Sequence, residues 1–268
     1  MEMPTKETAI ASNRDAWNDS ARHHKDSPEW PALLEAVRHS DFSCIDDTLR
    51  AVLEQVGVAG KDAVQVGCNN GRESVSLFAL GARSVVGIDQ SQAFLDQARE
   101  LAARSPHCAT FIEADIHHLP TELHEQFDLA LITIGVLNWM PDIAEFFRHV
   151  AQILKPGGAL VIYETHPFLE MFDPEANDPY RPDSSYFRSE PFVQTQPIVY
   201  EGKVEQQAPA SYWFVHTLGA MFSGALDAGL RISHFKEYPH SNREELYDQY
   251  EQQKAQLPLC FTWVGIKG

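Results

Sequence analysis

The feature that most constrains this chain is the run Val64-Gln65-Val66-Gly67-Cys68-Asn69-Asn70-Gly71-Arg72-Glu73. A short apolar strand enters a turn with glycine at both ends, and a helix follows. Glycine permits positive φ and lets backbone N–H groups approach a ligand closely. Alone, such a turn marks a tight strand–helix connection as readily as a ligand site.

The run opens an alternation. Strands are expected at 63–66, 84–88 (closed by Asp89), 109–114 (closed by Asp115), 127–134 and 159–163. Helices are expected at about 72–80, 93–103 and 143–154, the last stopped by Lys155-Pro156-Gly157-Gly158. Strands alternating with helices of about ten residues imply βαβ units and a parallel sheet. The strands are apolar on both faces, as helices on both sides of a doubly wound α/β sheet require.

Two acids sharpen the first signal. Asp89 closes the second strand about twenty residues past the turn, where a carboxylate can accept ribose hydroxyls. Asp115 closes the third, where an acid beside a backbone N–H can read an adenine amino group. Residues at the carboxyl ends of three neighbouring strands would line one crevice. The dinucleotide fingerprint wants a third glycine one residue after Gly71, and Arg72 stands there.

The flanks differ. Residues 12–24 read as a helix capped by Ser12 or Asn13, and 30–56 as two amphipathic helices broken near 40–43. Residues 166–215 hold seven of the sixteen prolines and no helical period. They read as an insertion over the sheet's edge, with strands at 192–194, 198–200 and 212–215. A helix at 218–228, a strand at 231–237, a polar helix at 242–256 and a last strand at 260–266 complete the chain. The expected division is a helical lid at 1–56, a cofactor-binding core at 57–165, a β-rich substrate-side insertion at 166–215, and completion of the core sheet at 216–268.

Taken in order, Gln65-Val66-Gly67-Cys68-Asn69-Asn70-Gly71, Gly87-Ile88-Asp89, Ala114-Asp115-Ile116, Phe127-Asp128-Leu129 and Leu154-Lys155-Pro156-Gly157-Gly158 resemble the motifs of class I S-adenosylmethionine-dependent methyltransferases. The resemblance implies a seven-stranded, mostly parallel Rossmann-like sheet with an antiparallel last strand. It implies S-adenosyl-L-methionine as cofactor and S-adenosyl-L-homocysteine as product. The implied cofactor residues are Gln65, Gly67, Cys68, Asn69, Gly71, Asp89, Gln90, Asp115, Ile116 and Thr133, with Trp17 folding over from the N-terminal helix. Gly135 would give the methyl group room, while Asn138, Trp139, Tyr186 and Trp213 would shape the acceptor pocket. Other insertion aromatics, among them Tyr180, Phe187 and Tyr200, would wall that pocket or form a small core. His166 and His216 are the candidate general bases, because imidazole titrates near neutrality. The family usually has an acid where Gln65 stands, facing the methionine amino group. Asn69 replaces a glycine, and asparagine tolerates left-handed φ.

Composition narrows the partners. The net charge of −17 disfavours phosphate backbones and anionic membrane surfaces. No segment reaches the roughly 18 apolar residues of a membrane helix, and residues 1–10 have no signal-like apolar stretch. Cys44, Cys68, Cys108 and Cys260 are scattered, so a reducing cytoplasmic setting is expected. The adjacent pairs His23-His24 and His117-His118 point apart, so no metal site is expected. The expected function is methyl transfer to an O, N or C atom of a small molecule. A cofactor-binding protein without transfer activity, kept open by the uncharged Gln65, and a nicotinamide-dependent oxidoreductase are the alternatives. No motif encodes the acceptor or the oligomeric state.

Overall fold

A computed structural model describes residues 4–199 and 204–268. Helix α1 (Lys6–Lys25) begins well before residue 12, because the Thr5 hydroxyl accepts the Thr8 N–H and supplies the cap. Ser12 and Asn13 lie inside the helix, and their side chains bond elsewhere. Helices α2 (Glu29–Ala36) and α3 (Asp47–Val56) follow, broken as expected, with Asp46 capping α3 through Leu49 N–H at 2.9 Å.

The core then alternates: β1 (Asp62–Val66), α4 (Arg72–Ser76), β2 (Ser84–Asp89), α5 (Gln92–Ala102), β3 (Thr110–Glu113), β4 (Phe127–Thr133), α6 (Ile143–Ile153) and β5 (Leu154–Thr165). The insertion supplies β6 (Phe192–Gln194) and β7 (Ser211–Trp213), which pair with each other outside the main sheet. Helix α7 (Leu218–Asp227), β8 (Leu230–Tyr238) and β9 (Cys260–Lys267) close the chain.

The main sheet has seven strands in the order β3-β2-β1-β4-β5-β9-β8. β1 to β5 pair in parallel, and β9 runs antiparallel to both β5 and β8. The order reverses between β1 and β4, which opens a crevice at the strands' carboxyl ends. Strand β4 shows why the sheet needs two covers. Ala130 and Ile132 pack towards α6 and α7, while Leu129 and Leu131 pack towards α3. All four are fully buried, and removing each large apolar side chain from water is worth about 1.5–3 kcal/mol.

Two segments depart from the sequence expectation. Residues 242–256 form no helix beyond a short 3-10 turn at Glu245–Tyr250, and Gln252 has φ 56. The segment has no continuous apolar face to bury. Instead Tyr250 anchors it in a small cluster with Leu169 and Leu259. Ile198 and Val199 form no strand, because α1 takes the Ile198 backbone groups. Its N–H donates to Ser20 Oγ at 2.8 Å, and its carbonyl accepts from His24 Nε2 at 2.9 Å. Tyr200, expected in that strand and in the pocket wall, lies outside the described residues. Among the described residues, no helix is long and apolar enough to cross a membrane.

Candidate cofactor and acceptor site

The turn after β1 is wound through three left-handed residues, Gly67, Asn69 and Gly71, with φ of 69°, 50° and 75°. Asn69 tolerates this because its short side chain bonds locally, accepting the Asn70 N–H at 2.8 Å. A Cβ at Gly67 would come within 2.7 Å of Val136, and one at Gly71 within 2.7 Å of the Phe111 ring. The turn therefore closes onto the loop after β4 on one side and onto β3 on the other.

Asp89 ties the turn to β2. One carboxylate oxygen accepts the Asn69 N–H at 2.8 Å, and the other accepts the Ser91 N–H at 2.9 Å. Burial holds its pKa above the usual carboxylate range, against those backbone bonds. Asp115 behaves oppositely. Burial pushes its pKa up, but hydrogen bonds from the His117 side chain and backbone and from His118 outweigh it and hold the group low.

Between these ends lies a cavity of about 210 Å³. Its wall gathers Gly67, Asn69, Asp89, Gln90, Asp115 and Ile116 from the carboxyl ends of β1 to β3, with Gly135 from the loop after β4. Three indoles close it. Trp139 meets Trp17 at 5.4 Å and Trp213 at 4.8 Å between ring centroids, both edge to face.

Comparison with known proteins matches residues 64–162 to the family model described as a methyltransferase domain, the segment that carries the turn, Asp89 and Asp115. The chain has the class I S-adenosylmethionine-dependent methyltransferase fold. Among solved structures, a methyltransferase from Mesorhizobium loti is 23% identical with a TM-score of 0.56, over 82% of this chain and 96% of that one. A geranyl diphosphate C-methyltransferase from Streptomyces coelicolor A3(2) is 13% identical with a TM-score of 0.59, over 94% and 98%. The ubiquinone biosynthesis O-methyltransferase of Pseudomonas paraeruginosa is 32% identical over 141 residues, 49% of this chain. The match spans 60% of that relative's length.

Within this methyltransferase fold, several expected site residues stand behind the cavity wall. Gln65 is fully buried, its oxygen accepting from Ser74 Oγ at 2.5 Å and its amide donating to Thr133 Oγ1 at 3.1 Å. Gln65 and Thr133 thus brace β1 against β4 and the start of α4. The Cys68 side chain turns away, packing with Leu95, Ala98 and Phe111. Gly71 also lies off the wall.

The two histidines are likewise not in the wall. His166 Nδ1 accepts the Phe168 N–H at 3.1 Å and Nε2 donates to Glu237 at 3.0 Å. His216 Nε2 donates to the Met140 carbonyl at 2.7 Å. Burial lowers both pKa values, and the three ring nitrogens in these bonds are engaged by protein groups. The Tyr186 hydroxyl accepts the Leu218 N–H at 2.9 Å, at the start of α7. Asn138 binds Phe214 at both backbone groups, 2.8 and 2.7 Å, and so holds Trp213 from behind the wall.

Three carboxylates escaped the sequence reading. Glu164 is buried beneath the loop after β4 and accepts the N–H groups of Gly135 at 2.5 Å and Leu137 at 3.1 Å. Burial pushes its pKa to about 7 in spite of these bonds. An acid inside the otherwise apolar β5 was the available signal for it. Burial also takes Glu170 to about 7, with an opposing bond from Trp213. Glu244 reaches the cavity wall from the irregular segment after β8, and no local pattern announces it.

Proposed function

We propose that the chain is a methyltransferase that binds S-adenosyl-L-methionine, releases S-adenosyl-L-homocysteine and methylates an O, N or C atom of a small acceptor. The observation that carries this reading is one cavity bounded by Asn69, Asp89 and Asp115 and closed by three tryptophans. The donor set suits the cofactor. A half-buried carboxylate at the end of β2 can accept ribose hydroxyls, and an apolar middle fits the thioether and sulfonium region.

Bound here, the cofactor would supply a methyl group on a sulfonium, open to in-line attack by a nucleophile. The chain's own work is positioning and exclusion of water. Asp89 and Gln90 would hold the ribose, and Asp115 with Ile116 would flank the adenine. Trp17, Trp139 and Trp213 would form the dry wall, with π faces that favour a cationic neighbour. Glu164 would fix the Gly135 loop against this wall. Because His166 and His216 are engaged elsewhere, we assign neither as the base, and an acceptor that arrives as a neutral amine or an acidic hydroxyl would need none. The modest cavity and the net charge of −17 favour a small acceptor over a nucleic acid.

Calorimetric titration with S-adenosylmethionine, S-adenosylhomocysteine and NAD tests the reading. Micromolar binding of the two adenosyl ligands, absent for NAD and lost in Asp89→Ala, is expected. A screen of small acceptors with labelled donor then tests transfer. NAD binding, or no nucleotide binding at all, would overturn the proposal.

A further inference from the structure

We infer that Glu244 holds the ammonium group of the cofactor's methionine moiety, the charge that Gln65 is unable to meet. The inference rests on the proposed cofactor reading and assigns a residue that the sequence motifs do not.

Three carboxylates line the cavity: Asp89, Asp115 and Glu244. Two are committed. Asp89 accepts the Asn69 and Ser91 N–H groups at the end of β2, and Asp115 accepts from both His117 and His118. The Glu244 carboxylate accepts no hydrogen bond among the described residues, although burial raises its pKa. A half-buried carboxylate without donors is costly unless a ligand supplies them.

Its surroundings place it at the methionine end. It shares the wall with Gly67, Asn69 and Gly135. Its charge is felt by Glu164, which grips Gly135, and it in turn feels Arg243 beside it and Arg72, the first residue of α4 after the turn. Glu244 therefore lies near Glu164 under the loop after β4 and near Arg72 after the turn that follows β1. Arg72 and Arg243 lie near it, and each guanidinium has a hydrogen bond to Glu73; among the described residues neither is bonded to Glu244. Gln65 is uncharged, and both ends of its amide are spent inside the core. An ammonium donates up to three hydrogen bonds and pairs best with an ionised acceptor. Among the described residues, Glu244 is the carboxylate of this wall that carries no hydrogen bond.

The test compares two ligands that share the adenosine and thioether but differ in the amino-acid moiety: S-adenosylhomocysteine and 5′-methylthioadenosine. In calorimetry, Glu244→Gln should weaken S-adenosylhomocysteine by about ten- to a hundred-fold and leave 5′-methylthioadenosine within about two-fold. Glu244→Asp, which keeps the charge and shortens its reach, should fall between; it also replaces the Gln variant should that one fail to melt cooperatively. Equal weakening of both ligands, or of neither, overturns the assignment while leaving the cofactor reading intact. Failure of the unaltered protein to bind either ligand overturns the cofactor reading, and this assignment with it.

Discussion

Asn13 clamps Tyr212. Its side-chain oxygen accepts the Tyr212 N–H at 2.7 Å, and its amide donates to the Tyr212 carbonyl at 3.0 Å. A helix residue thereby imitates a strand partner for β7 and joins the N-terminal helix to the insertion. Trp213 follows directly, and Asn138 pins the next residue, Phe214: its side-chain amide donates to the Phe214 carbonyl at 2.8 Å and its own backbone carbonyl accepts the Phe214 N–H at 2.7 Å. The indole wall is thus held from both sides by asparagines that grip backbone groups next to Trp213.

Asn13 is fully buried, so Asn13→Ala leaves a donor and an acceptor of Tyr212 unpaired. A loss of about 1–3 kcal/mol in urea unfolding is expected. Weaker binding of S-adenosylhomocysteine should accompany it, because α1 and β7 both bound the cavity. Unchanged stability would mean that the clamp adds nothing to the fold.

The turn at Asn69 predicts an asymmetry. Asn69→Gly keeps the left-handed backbone at little cost and should change stability by about 0.5 kcal/mol or less. Asn69→Val forces a β-branched residue to φ 50 and should cost about 1–2 kcal/mol or more. Thermal melts of the two variants decide it; equal melting points would contradict the strain argument.

Glu170 sets a pH dependence. Its folded pKa of about 7 lies above the ordinary 4.5, so the folded protein binds the proton more tightly than the unfolded chain does. This contribution is complete below the ordinary value and is lost as pH rises through the folded one. Glu170→Gln removes the titration. From about pH 5 to pH 8 the variant should gain about 1–3 kcal/mol relative to the unaltered protein in denaturant unfolding. A constant difference across that range would contradict the raised pKa.

Trp17 meets Trp139 at 5.4 Å and Phe94 at 5.5 Å, so it ties α1 to both the cavity and α5. Trp17→Ala should weaken S-adenosylhomocysteine about ten-fold or more, and should reduce the change in tryptophan fluorescence on binding. Binding and fluorescence identical to the unaltered protein would remove Trp17 from the site.

The core strands, their alternation with helices, and the positions of Asp89 and Asp115 were legible in the sequence. Each depends on short-range regularities: apolar runs, glycine where φ is positive, and acids where strands end. Trp17, Trp139 and Trp213 were legible as candidates, although their meeting in one wall needed three segments far apart in the chain. Local pattern failed where backbone groups found distant partners. Ile198 gave its hydrogen bonds to α1 instead of a strand, and the segment after Arg243 folded around Tyr250 instead of into a helix.

The sequence by itself determined the doubly wound scaffold and the edge at which a ligand would sit, since periodicity and turn chemistry act between neighbouring residues. Only the tertiary structure decided which side chains enter the cavity. It turned Gln65 and Cys68 into the core, bound His166 to Glu237 and His216 to Met140, and brought Glu244 to the wall. Those outcomes depend on which partners lie across the sheet and over the crevice, and spacing along the chain does not encode them.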